Sequence, residues 1–397
     1  MEALDASGLR SARFEEICMQ AHNSGIFFMP NSATPVPPDL KRVINAWGTP
    51  TPYGVSRSDP AVASAVALML QCHVVMADLQ ALVGRELAAW SGAESACITH
   101  CSAAAITLAV AACMAGTDAA RVAQLPDSTG MPNRVLLLAA HQVHYGQAIT
   151  QAVRLAGAHP VPCPTPADLA AELARGGVAC VLAVESHLAA GSGAAVTGEM
   201  IALAHAAGVP LVLDAAAQDW RARELVAGGA DLVLLSGQKY LRSPTAGLVL
   251  GRADLVAALD AQHGGMGRAM KPTKEALAGV LAALRLRADM SLDAWCAAQH
   301  RKLDAVAAAA DGWPGVTVER TTDPQGNAFA RLWLNVDAAV TGISAAGVIE
   351  LLRAGDPVVA VAPHRAAQGS IGLELTAVNE EELPELYALL AAAMNAG

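Results

Sequence analysis

Residues 231–251 read DLVLLSGQKYLRSPTAGLVLG, and the fold follows from how that stretch is punctuated. A first apolar run, Leu232 to Leu235, gives way to the small residues Ser236 and Gly237. A second run, TAGLVLG, closes the stretch. Each run is too short for a helix and has the unbroken apolar character of a strand buried on both faces. Lys239 stands between them, where the chain leaves a sheet.

Outward from this stretch, short apolar strands alternate with helices. SACITH, RVLLLAA, CVLAVES and VPLVLDAAA are strand candidates. ADLQALVGRELAAWSG has helical spacing and ends on Gly92 as a C-cap, and SAAAITLAVAACMAG is a helix ending at Gly116. Further helices run through Ala156 and from Thr197 to Ala207. This alternation predicts an α/β domain with a mostly parallel, doubly covered sheet over residues 41–260. Residues 1–40 read as an N-terminal arm, a helical stretch followed by Pro30, Pro35, Pro37 and Pro38, which interrupt any helix. Residues 261–397 combine a helical stretch from Lys274 to Ala310 with the strands VTVER, FARLWLN, PVVAVAP and SIGLELTAV and helices at 343–353 and 380–395. That mixture predicts a smaller C-terminal α+β domain.

Composition excludes several classes. Of 397 residues, 54% are hydrophobic and 16% charged, which marks a folded chain with a large core. A net charge of −10 without a basic cluster argues against a nucleic-acid partner. None of the eight cysteines has CxxC spacing, so neither a zinc site nor a disulfide framework is expected. Met1 to Arg10 has no signal-peptide character, and the apolar runs are too short for a bilayer, so a cytoplasmic protein without a membrane partner is expected.

Three segments could carry chemistry. Lys239 follows a strand end, where ligands bind in open α/β sheets, and partial desolvation would make its amine a nucleophile. Asp214, 25 residues earlier at the end of VPLVLD, could hold a protonated pyridine nitrogen. In THCSAAAIT, Ser102 is the expected N-cap of a helix whose N-terminus, with Ala103 and Ala104, suits an anion. Taken singly, each has an ordinary reading: a loop lysine, a capping aspartate, an alanine-rich helix. No GxGxxG follows the early strands, which removes a dinucleotide-binding reading.

Together the segments resemble the fold-type I pyridoxal-5′-phosphate (PLP) enzymes, in the branch of selenocysteine synthase and D-glucosaminate-6-phosphate ammonia lyase. The resemblance rests on INAWGTPTPYG, ADLQALVGRELAAWSGAESACITHCSAAAITLAVAACMAG, ESHLAAGSG, VPLVLDAAAQ, DLVLLSGQKYLRSPTAGLVLG and GGMGRAMKPTKEALAGVLAALR. It covers about residues 41–290, and SGQK with the following PTAG is its most specific part. It implies a Schiff base on Lys239 and Asp214 as the ring-nitrogen partner, with Gln218 near the ring hydroxyl. Ser102, Ala103 and Ala104 would cradle the phosphate, with a further bond from Ser236. His141 or His144, in AAHQVHYGQAI, would stack on the ring, and His187 would touch the substrate. Gly267, Arg268 and Lys271 would lie near the site or a dimer interface, with Arg268 a substrate-binding candidate.

Two departures bear on the substrate. Where the family often places an arginine after the last strand, this chain has Thr376, and Arg365 is the nearest substitute for a carboxylate contact. His100 and Cys101 also stand where small residues are usual: Cys101 would pack and His100 could reach the site. The arm is short for a transfer-RNA-binding domain, so the small-molecule branch fits better. The resemblance therefore implies a PLP-dependent homodimer or larger assembly. It would act on a small amino acid or amino sugar acid through an external aldimine and α-carbanion, as a lyase. Aminotransferase and racemase chemistry share these first steps, and a non-catalytic binding protein with the same fold is the alternative of another class.

Overall fold

The computed structural model describes residues 36–37, 39–189, 193–324 and 326–396, so most of the expected N-terminal arm lies outside the described residues. In chain order the strands are β1 (Val43–Ala46), β2 (Ser95–Thr99), β3 (Arg134–Leu138), β4 (His159–Cys163), β5 (Val178–Val184), β6 (Leu211–Asp214), β7 (Leu232–Ser236), β8 (Gly247–Gly251), β9 (Val316–Thr322), β10 (Ala330–Val336), β11 (Val358–Val361) and β12 (Ser370–Leu373).

A seven-stranded sheet takes the order β2-β8-β7-β6-β5-β3-β4. Side chains alternate between its faces. Val233 and Leu235 pack into one apolar cluster, and Leu232 and Leu234 into the other. The first face is covered by helices Met76–Ser91, Pro166–Ala174, Ala194–Ala206 and Lys274–Ala288, and the second by Ser102–Ala115, Ile149–Leu155 and Ala253–Ala261. The Ser102–Ala115 helix is buried almost all round, and its alanines allow that close approach.

The expected mostly parallel sheet is present, with one exception. β8 runs antiparallel to both β7 and β2, because the loop after β7 returns the chain without a crossover helix. β4 was not foreseen, since Pro160 and Pro162 argue against a strand. As the edge strand it keeps both missing donors away from β3, while the His159 N–H reaches Asn133 O at 2.8 Å.

The smaller unit holds an antiparallel sheet, β12-β10-β9, and a parallel pair, β1-β11. Ile44 and Ala46 of β1 pack with Leu334, Val359 and Ile371, so the start of the expected 41–260 stretch joins the small unit's core. Leu277, Leu281 and Leu284 pack on the large sheet instead, although the sequence grouped them with residues 261–397. The helical stretch read as Lys274 to Ala310 is two helices. Ser291 starts the second by accepting the Ala294 N–H.

Gly247 positions the candidate site. It pairs with Thr99, and a Cβ there would collide with Thr99 Oγ1 and the Cys101 carbonyl. Only hydrogen at this position lets β8 lie against the turn that starts the Ser102 helix. Gly247→Ala should cost about 1–3 kcal/mol by overpacking. Urea unfolding would measure the loss, and an unchanged midpoint would mean that the turn can move aside.

Candidate functional site

β6 and β7 are parallel neighbours with Asp214 opposite Leu234, so both deliver their carboxyl ends to one side of the sheet. Asp214 closes β6 at 2% exposure and accepts the Ala216 N–H at 3.3 Å. Its carboxyl is pushed up to about 6 by burial, with Lys239 acting in the opposite direction. The Lys239 ammonium is pushed down by burial and held up in part by Asp214 and Asp219. Burial drives both shifts, and the attraction between the two groups opposes them.

The loop carrying Lys239 is tightly bonded. Gly237 N donates to Ala246 O at 2.9 Å, Ser243 N to Gly237 O at 3.0 Å and Arg242 N to Lys239 O at 3.1 Å. Arg287 braces it from behind. It donates to Tyr240 O at 2.6 Å, stacks on Trp220 at 3.5 Å and pairs with the buried Asp219 at 3.0 Å.

Lys239 opens into a cleft with about 680 Å³ of empty space. Its walls include Trp47, Tyr145, Glu185, Ser186, His187, Tyr240, Arg331, His364 and Glu374. Of the predicted residues, Lys239 and His187 line it. Asp214, Gln218, His141 and Ser236 lie buried, and Asp214 couples to Lys239. His141 Nδ1 accepts the Val184 N–H at 3.1 Å, and burial lowers its pKa, so the ring is neutral with its proton on Nε2. Nε2 of both His141 and Gln218 is buried without a hydrogen-bond partner among the described residues. Two orphaned donors beside a buried carboxylate suit a polar aromatic ring. The cofactor's residues therefore fit.

The helix cap differs from expectation. Cys101 is the N-cap, its sulfur accepting the Ala104 N–H at 3.5 Å, and Ser102 is the first helical residue. Ser102 and Ala103 remain accessible for an anion, whereas the Ala104 amide is engaged. The His100 N–H is bound by Met270 O at 2.8 Å, which sets the Gly267–Lys271 segment against this turn.

Three predicted residues are not brought into the cleft. His144 is exposed and outside the lining, and Tyr145 beside it forms the wall. Tyr145 hydrogen-bonds with Ser186, and its phenol is pushed up by burial and then by Asp214. Arg268 is exposed and outside the lining. Arg365 stacks on Trp333 at 4.1 Å and pairs with Glu319 at 3.3 Å, away from the cleft.

In place of Arg365 the cleft has Arg331, 7% exposed. Its Nε bonds Asp323 at 2.8 Å, and its Nη2 lies 2.9 Å from Glu374. Glu374 also accepts from Tyr240 at 3.2 Å and Thr376 at 2.8 Å, and burial pushes its carboxyl up. Thr376 thus supports an acid where an arginine was sought. The available signal was a lone charge inside each apolar strand, Arg331 in ARLWLNV and Glu374 after SIGL.

Comparison with known proteins agrees with this geometry. Residues 196–296 match the L-seryl-tRNA selenium transferase (SelA) family. The chain is 36% identical to D-glucosaminate-6-phosphate ammonia lyase of Salmonella typhimurium (strain 14028s / SGSC 2262) over 356 residues, 88% of this chain and 95% of that protein. It is 35% identical to a 5′-C-glycyluridine monooxygenase-decarboxylase of Streptomyces sp over 345 residues, 85% and 86% of the two chains. A solved structure of D-glucosaminate-6-phosphate ammonia-lyase superimposes with a TM-score of 0.82 at 34% identity, covering 90% of this chain and 96% of that one.

Asp214 yields a test in the cofactor-free protein. With a folded pKa of about 6 against 3.8 unfolded, it holds more protons folded than unfolded between those values. Its burial therefore costs nothing below the unfolded pKa, and the cost grows as pH rises through the folded pKa. Asp214→Asn should match wild type near pH 4 and exceed it by on the order of 2–3 kcal/mol above pH 6. Urea unfolding across that range would show it, and a difference independent of pH would contradict the assignment.

Proposed function

Because the chain belongs to the PLP-dependent family of D-glucosaminate-6-phosphate ammonia lyase, we propose that it is a lyase acting on a small amino acid or amino sugar acid. The observation that carries this is the buried pair Asp214 and Lys239, with Lys239 opening into one cleft. When bound, PLP supplies an electron sink for the charge left at the substrate Cα.

The protein's part is holding charge and moving one proton. Asp214 would stabilise positive charge on the cofactor's ring nitrogen. The unpartnered Nε2–H of His141 and the unpartnered Gln218 amide would satisfy polar atoms of the cofactor. Backbone N–H groups at Ser102 and Ala103 would meet the phosphate, assisted by the helix dipole. Tyr145 offers the aromatic wall. Lys239 Nζ, whose burial disfavours the ammonium form, takes the proton from Cα and can return it to the product. Arg331 is the cation available for the substrate carboxylate, and its Nη1 makes no hydrogen bond among the described residues.

The assembly is part of the same proposal. Val75 is 65% exposed and Leu70 57% exposed, close to the segment that buttresses the phosphate turn, and a second copy of the chain would cover them.

PLP-loaded protein should absorb near about 420 nm. Lys239→Ala should lose that band and at least about 10²–10⁴-fold in Cα proton exchange, read by deuterium incorporation into a panel of amino acids. Release of ammonia with the exchange supports the lyase. Exchange without product points to a racemase, and an unchanged Lys239→Ala spectrum overturns the reading.

A further inference from the structure

We infer that the substrate of this cleft is an unphosphorylated, polyhydroxylated amino acid, a class that rests on the lyase reading above. Tight binding of a phosphate dianion draws on free cations or unpaired backbone N–H groups, and among the described residues Arg331, the arginine of the lining, has only its Nη1 left uncommitted. Arg331 lies between Asp323 at 2.8 Å and Glu374 at 2.9 Å. Arg221 pairs with Glu185 at 3.4 Å and Glu224 at 2.6 Å. Arg287, behind the lysine loop, is held by Asp219. Lys239 is committed to the cofactor.

The lining itself carries two carboxylates, Glu185 and Glu374, against the two cations Lys239 and Arg331. One substrate carboxylate at Arg331 already leaves that cluster with more acids than cations. A phosphomonoester would add a charge of about −1.5 to −2. It would do so in a partly desolvated cleft, where repulsion from Glu185 and Glu374 is weakly screened.

Histidines do not repair the balance. His187 and His364 lie 6.0 Å apart between ring centroids, and burial followed by the Arg331 charge pushes both below their ordinary value. They are neutral at physiological pH. The Trp47 indole N–H points at His364 Nε2 at 3.4 Å, which leaves the His364 proton on Nδ1 as a donor. His364 therefore offers one donor, His187 one donor and one acceptor, and each carboxylate accepts. A row of hydroxyl groups, which both donate and accept, suits such a mixed lining. Trp47 and Tyr145 add aromatic surface for the C–H faces of such a chain.

The test uses the full-length PLP-loaded protein, titrated with D-glucosaminate and with D-glucosaminate 6-phosphate and followed by the cofactor's visible spectrum. The unphosphorylated compound should bind at least about ten-fold more tightly. Glu185→Gln, which removes one repelling charge and releases Arg221 in part, should narrow that ratio several-fold. Equal or tighter binding of the phosphate ester overturns the inference. A spectrum that responds to D- or L-serine but to neither sugar acid also overturns it, while leaving the lyase reading intact. A spectrum that responds to none of these overturns both.

Discussion

Asp214 and Lys239 are opposite charges removed from water at the ends of adjacent strands, and much of the surrounding structure serves to keep them there. Burial costs each of them free energy, and the attraction between them offsets part of that cost. The parallel pairing of β6 with β7 brings their ends together. The loop beyond β7 then has to hold a long flexible side chain in one direction. It does so with a closed set of backbone bonds from Gly237 to Ala246 and with Arg287 clamped on the Tyr240 carbonyl. Arg242 takes a left-handed φ of 57° within this loop, and its guanidinium reaches the Thr376 carbonyl. The lysine is thus tied to the small unit as well as to the sheet.

That tie continues through a second buried charge cluster. Asp323, Arg331 and Glu374 belong to the small unit, and the Tyr240 hydroxyl joins them from the lysine loop. Gly48 follows β1 with a φ of +88°, and a Cβ on it would overlap the Glu374 carboxylate. The INAWG segment therefore both completes the small unit's core and seats the acid that faces the cleft. Buried ion clusters add little net stability, but they penalise any packing that separates their members. Here the members come from both units, so the cleft between them has one well-defined shape.

The fold was legible where local pattern and tertiary role coincide. The runs ending at Asp214 and Ser236 are apolar on both faces because both faces are buried, and unbroken apolarity is visible in one dimension. β4 was hidden because its two prolines are acceptable only at an edge, and edge position is a property of the assembled sheet. The direction of β8 was hidden for a similar reason, since an apolar run carries no sense of its partner's direction. The break at Asp289–Ser291 has a capping serine, yet the apolar spacing continues across it and reads as one helix.

By itself the sequence determined the sheet's main strands and marked Lys239, Asp214 and the Ser102 turn as the candidate cofactor residues. Those residues sit at strand and helix ends, and such ends are written in local composition. Tertiary structure decided which side chains line the cleft. It brought Arg331 rather than Arg365 and Tyr145 rather than His144 to the cleft, with Glu374, Trp47 and His364, none of which the sequence reading singled out as a site residue. These residues lie between positions 47 and 374 and meet only because the small unit folds over the carboxyl end of the large sheet. Whether a charge in an apolar strand is a structural partner or a ligand contact depends on what lies across that gap, and spacing along the chain does not encode it.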